Sequence, residues 1–124
     1  MAKGAQNNRE HLAAVQLFGK TISKRAGFRC EWCEGGEELR LWEYQPDQEP
    51  SEENLALICH SCRELSGAKN PDPRRLRSLR NALWSPVPAV AEGAAMVLSR
   101  CKEPWVREAI EESLIDEALK ERLL

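Results

Sequence analysis

The sequence predicts an α+β fold, mostly helical: a small β-hairpin finger, a helical extension before it and a helical cap after it. Three observations predict this. Four of the five cysteines form two Cys-x-x-Cys pairs, Cys30/Cys33 and Cys59/Cys62, with 25 residues between them. That interval holds two short strand-like runs, and both flanks carry apolar residues at helical spacing. At 124 residues and 42% hydrophobic content, the chain supports a modest core and one domain. The expected parts are an N-terminal helix over residues 1–27, a finger over 28–67 and a cap over 68–124, forming a single compact domain.

Residues 7–26 read as one helix, with Leu12, Val15, Phe18 and Ile22 at helical spacing and Gly27 as the stop. Lys20, Lys24 and Arg25 lie toward its C-terminal end, where positive charge complements the helix dipole. Gly35 and Gly36 after the first Cys pair let the chain turn sharply. Residues 39–44 alternate and favour a strand that ends before Pro46, and residues 45–53 are an acidic loop. Residues 54–58 are a short apolar strand leading into Cys59, and a short helix starting between Cys62 and Glu64 closes at Gly67. After a linker, Asp72-Pro73 supplies an N-cap and a first-turn proline for a helix carrying Leu76, Leu79 and Leu83. Ser85-Pro86-Val87-Pro88 breaks it and opens another helix running to about Arg100, rich in small residues suited to close packing. A last helical region begins at Pro104-Trp105 and breaks near residues 113–116.

Thiolate pairs separated by two residues grip one metal ion in a tight turn, and two such turns complete a tetrahedral shell. Zinc, which has no ligand-field preference, is the usual occupant. Cys30, Cys33, Cys59 and Cys62 are therefore the expected ligands of a structural Zn²⁺. The competing reading, buried or disulfide-bonded pairs, suits an oxidising compartment. The polar first ten residues do not resemble a signal peptide, so a reducing, cytoplasmic setting is expected. The longest apolar stretch, residues 87–98, is too short and interrupted to span a bilayer, so no membrane role is expected.

The net charge of −2 is unevenly spread. Residues 1–29 carry +5, residues 30–64 carry −8, residues 65–102 carry +5 and the remainder −4. The finger is thus acidic, and four thiolates add to that, opposing phosphate binding at the metal itself. Arg74, Arg77 and Arg80 share a helical stripe and are the candidate contact for nucleic acid or another acidic partner. No aromatic is expected beside them, and the acidic C-terminal segment offers them intramolecular partners, so a solvated face is the simpler reading. His60 lies between ligand cysteines but points away from them, and His11 reads as a surface or packing residue. Cys101 reads as a small buried hydrophobe. The four tryptophans, Trp32, Trp42, Trp84 and Trp105, are expected to anchor packing.

The run Arg29-Cys30-Glu31-x-Cys33, then Leu41-Trp42-Glu43-Tyr44-x-Pro46 and Ile58-Cys59-x-x-Cys62, resembles the zinc-binding part of PhnA-like proteins. Trp84-Ser85-Pro86-Val87-Pro88-Ala89-Val90 after the finger looks like that family's signature, with Trp84, Ser85, Val87 and Pro88 as a structural motif. The resemblance covers roughly residues 26–119. Such proteins often continue into a small β-barrel; the expectation here is the finger part without that barrel, with the N-terminal helix as an addition. The knuckle-hairpin-knuckle outline, treble-clef- or zinc-ribbon-like, is also similar to HNH endonucleases. Those enzymes need a His to activate water, further ligands for a catalytic metal and an orienting Asn. Here Trp42 and Glu43 stand at the His positions, Arg63 follows the last Cys and only Asn54 matches. The expectation is a non-enzymatic binding or adaptor module with structural zinc and a protein partner. An inactive HNH relative with weak nucleic-acid affinity is the alternative.

Overall fold

A computed structural model describes residues 2–124, with side chains described from Arg9 onward. Helix α1 (Ala2–Gln16) and helix α2 (Gly19–Arg25) precede strands β1 (Arg40–Glu43) and β2 (Leu55–Ile58), and helix α3 (His60–Gly67) follows directly. The cap comprises α4 (Pro73–Leu76), a 3₁₀ helix (Arg77–Trp84), α5 (Pro88–Leu98), α6 (Pro104–Glu112) and α7 (Glu117–Leu123). The expected α+β class, dominated by helix around a small hairpin, is what forms.

The hairpin is antiparallel, with Arg40 opposite Ile58 and Glu43 opposite Leu55. All four residues of β2 are buried, and its period-two alternation divides them between two cores. Leu55 and Leu57 join Val15 and Ile22 of the N-terminal helices. Ala56 and Ile58 join the cap, including Leu79, Leu83, Val97 and Leu98. A sheet covered on both faces needs an unbroken apolar strand, which explains the Leu-Ala-Leu-Ile run.

The single N-terminal helix expected over residues 7–26 is instead two. The chain tightens at Phe18, whose N–H reaches Val15 O at 3.1 Å, and restarts at Gly19, a weak helix former. Val15 and Ile22 still face the same core, whereas Leu12 and Leu17 are exposed. Helix α2 ends in a Schellman motif: Phe28 N–H donates to Ser23 O and Gly27 N–H to Lys24 O, with Gly27 at φ +63°.

The helix after Asp72 also differs in kind. Asp72 caps it, accepting from Arg74 N–H at 3.0 Å, but after one α-turn the chain winds as a 3₁₀ helix. With about three residues per turn, its rows eclipse at i, i+3. Leu76, Leu79 and Ala82 are buried at that interval, with Leu83 beside them. Ser85 Oγ then accepts from Val87 N–H at 3.1 Å, and Pro88 opens α5.

Helix α5 packs against the 3₁₀ helix and β2, and its Gly93 lies under the indoles of Trp32 and Trp42. Those rings meet edge to face, with centroids 4.8 Å apart. The expectation that Trp84 anchors packing fails: it is 46% exposed, while Val87 is half-buried and Val90 buried. A 3₁₀ helix whose apolar row ends on Ala82 and Leu83 turns residue 84 outward. The acidic C-terminal segment does not neutralise the arginine stripe either. Arg77 instead lies over the ring of Trp105 at 5.4 Å.

Candidate metal centre

The first knuckle follows the Schellman turn of α2 and is pinned by Arg25. Its Nε and Nη2 donate to the two carboxylate oxygens of Glu31 at 2.9 and 2.7 Å. Glu31 also accepts from Leu57 N–H at 2.8 Å, and Arg25 reaches the carbonyls of Glu52 and Leu55. Within the turn, Cys30 N–H donates to Gly35 O at 2.7 Å and Glu34 N–H to Cys30 O at 2.8 Å. The residue at φ +68° is Glu34, so the sharp turn expected of Gly35 and Gly36 is made one position earlier. Gly35 serves another purpose. Its N–H donates to Cys33 Sγ at 3.4 Å, and a Cβ there would lie 3.3 Å from that sulfur.

The second knuckle is the start of α3. Cys59 occupies the N-cap with extended backbone, and Cys62 lies in the first turn. The helix start therefore delivers both sulfurs to one side of the second turn.

Cys30, Cys33, Cys59 and Cys62 bring their sulfurs within 4.8 Å of one another. Cys30 Sγ is 3.6 Å from Cys62 Sγ, and Cys33 Sγ is 3.5 Å from Cys59 Sγ. A disulfide requires about 2.05 Å, so these are free thiols. A zinc ion with four bonds of about 2.3 Å places its sulfurs about 3.8 Å apart, and the donor set fits that shell. Three of the four cysteines are buried and Cys33 is half-buried.

Without a cation the cluster resists full ionisation. The hydrogen bond shared with Cys62 holds Cys30 down to about 5. Burial pushes Cys33 up to about 11. Cys62 is pushed up too, by its bond to Cys30 first and by burial second. Four adjacent thiolates are therefore reached only with a positive ion among them.

The remaining candidates do other work. His60 is exposed, facing Glu38 and Glu64 at 3.6 and 3.7 Å rather than the sulfurs. His11 bonds Glu43 across the end of β1. Asn54 exchanges two hydrogen bonds of 2.9 Å with the backbone of Gln45. Arg63 donates to the carbonyls of Glu38 and Ile58. Arg74, Arg77 and Arg80 are exposed, Arg75 is held by Ser61, and Cys101 is half-buried. Sequence reasoning missed Arg25 and Glu31 as supports of the knuckle. No short motif announces such a pair, although an acidic residue inside a Cys-x-x-Cys turn next to a basic helix end is a signal of sorts.

Compared with family models, curated proteins and solved structures, the chain matches none. No helix among the described residues is long and apolar enough to cross a membrane.

Proposed function

We propose that this chain is a small binding module in which one zinc ion, held by Cys30, Cys33, Cys59 and Cys62, serves the fold rather than a reaction. The observation that carries this is the clustering of four sulfurs within 4.8 Å, each delivered by a turn or helix start. Four thiolates close the shell and leave no position for a water or substrate, which is the structural rather than catalytic arrangement. Zinc is favoured because a four-sulfur tetrahedron suits a metal without geometric preference.

The positions that a nuclease of similar outline would use carry architecture instead. Glu43 is bonded by His11, Asn54 holds a loop, and Arg63 caps two carbonyls. No water-activating group faces an open metal site among them. This supports a non-enzymatic, adaptor-like role in a reducing, cytoplasmic setting, and the PhnA-like resemblance of the finger and of the Trp84–Val90 run points the same way.

Elemental analysis of the purified protein tests the metal directly, with one zinc per chain expected. Protein purified under reducing conditions without metal, or with a knuckle disulfide, rejects it. Mg²⁺- or Mn²⁺-dependent cleavage of DNA that disappears in Glu43→Ala rejects the non-enzymatic role.

A further inference from the structure

We propose that the cleft between the first knuckle and the 3₁₀ helix binds single-stranded nucleic acid, with Trp84 as the stacking platform and Arg29, Arg77 and Arg80 as the phosphate contacts. This rests on the binding-module reading above and names its ligand.

From sequence, the arginine stripe lacks an aromatic beside it, which favours a solvated face. The 3₁₀ winding changes that. Ser78, Asn81 and Trp84 stand at i, i+3, i+6 and form one eclipsed row, and all three line a cleft of about 370 Å³. Arg77 and Arg80 occupy the neighbouring row, a third of a turn away. Across the cleft lie Arg29 and Glu34, and Trp32 contributes to its wall.

Trp84 is 46% exposed and also lines a second hollow of about 200 Å³, together with Leu114. A large aromatic this exposed that borders two hollows leaves part of its side chain open to a ligand. Every base has a π face, so stacking on such a ring tolerates sequence and needs unpaired bases. Asn81, with an exposed amide and no hydrogen bond among the described residues, adds donors and an acceptor for a base edge.

The cleft's own charges balance, Arg25 against Glu31 and Arg29 against Glu34, with Cys30 also in the lining, so the excess of positive charge comes from Arg77 and Arg80 beside it. Arg29 and Arg80 are exposed and form no ion pair among the described residues. Arg77 keeps its charge over the Trp105 ring. A strand stacked on Trp84 has Arg29 in the same cleft, and Arg77 and Arg80 on the neighbouring row of the 3₁₀ helix, for its phosphates. An acidic peptide would use the arginines but not the ring and amide row, so the nucleic acid fits more of the surface.

The test is fluorescence anisotropy of a labelled mixed-sequence single-stranded DNA, titrated with the zinc-loaded protein at two salt concentrations. Binding that weakens with salt is expected. Trp84→Ala should weaken it by roughly tenfold or more. Arg80→Gln and Arg29→Gln should each reduce the salt slope by about one ion. Arg107→Gln, whose residue pairs with Glu111 outside the cleft, should leave it unchanged. Circular dichroism confirms that each variant is folded, and Trp84→Phe, which keeps a ring, should restore much of the affinity.

Absence of binding at low salt overturns the proposal, as does equal affinity for the duplex or for Trp84→Ala. Binding of poly-glutamate in place of the oligonucleotide also overturns it and assigns the face to an acidic protein. Zinc content measured on the same samples separates the two levels. Zinc present without binding rejects only the cleft, whereas binding by a folded protein that takes up no zinc rejects the structural-metal reading.

Discussion

Arg25 and Glu31 form a two-point ion pair, Nε to Oε2 at 2.9 Å and Nη2 to Oε1 at 2.7 Å, that fastens the end of α2 to the first metal knuckle. The Glu31 side chain is only 9% exposed and also accepts a backbone N–H from β2. Helix, knuckle and strand therefore share one carboxylate. Arg25→Ala leaves that buried charge unpaired and strands the carbonyls of Glu52 and Leu55. A loss of about 2–4 kcal/mol is expected in urea unfolding, with Arg25→Lys recovering little because it lacks the fork geometry. A loss below about 1 kcal/mol would show that the pair is ornamental.

Metal loading should expel protons. At neutral pH Cys30, near 5, is already a thiolate, whereas Cys33, near 11, and Cys62, pushed up, are thiols. Metal and protons compete for the latter two, so apparent affinity climbs as pH rises from neutral and acid drives release. In the metal-free fold the signs differ by residue. Cys30, lowered from 9, contributes stability that is present above 9 and lost as pH falls through about 5. Cys33, raised from 9, contributes stability that is present below 9 and lost as pH rises through about 11. Calorimetry of zinc binding in buffers of different ionisation enthalpy measures the proton count. Identical heats in all buffers would contradict it. Cys59→Ser should abolish tight binding, and Cys101→Ser should not.

The four-cysteine cluster and most element positions were legible because they depend on local rules. Spacing exposes Cys30/Cys33 and Cys59/Cys62, Asp72-Pro73 marks a helix start, and Gly27 marks a stop. What was illegible depends on tertiary context. Periodicity cannot see a break at Phe18 that keeps Val15 and Ile22 on one side. Leu76, Leu79 and Leu83 fit an α-helix, yet Ala82 completes a three-residue period and turns Trp84 out. Charge counts mislead for a related reason. Arg25, Arg63, Arg75, Arg100 and Lys120 all donate to backbone carbonyls, so part of the basic count is architecture. Arg100 closes the end of α3 through Ser66 and Ala68, and Lys120 closes the end of α6 through Glu111 and Ser113.

Gly93 should be intolerant of even one methyl. A Cβ there would lie 2.8 Å from Trp42 Cζ3 and 3.0 Å from Trp32 Cζ2. Trp32 is 1% exposed, so its ring has little room to retreat. Alanine improves helix propensity by about 1 kcal/mol, but overpacking of this kind costs about 1–3 kcal/mol. The expected outcome of Gly93→Ala is net destabilisation, with a changed near-ultraviolet dichroism from the paired indoles. A variant as stable as the parent, with an unchanged spectrum, would show that α5 shifts freely against the hairpin.

Glu34 offers the opposite case, a position where glycine should help. Its φ of +68° costs a residue with a Cβ about 1 kcal/mol, and the side chain is exposed with no hydrogen bond or ion pair among the described residues. Glycine removes that strain but adds freedom to the unfolded chain, so Glu34→Gly should stabilise by a few tenths to about 1 kcal/mol. Glu34→Val, β-branched in a left-handed turn, should destabilise by more than that. The same turn holds Cys30 N–H on Gly35 O and Gly35 N–H on Cys33 Sγ, so strain there is felt at the cysteine cluster. Chelator-driven zinc release should accordingly slow in Glu34→Gly and quicken in Glu34→Val. The same release rate in both variants would show that the backbone of this turn does not control the first knuckle.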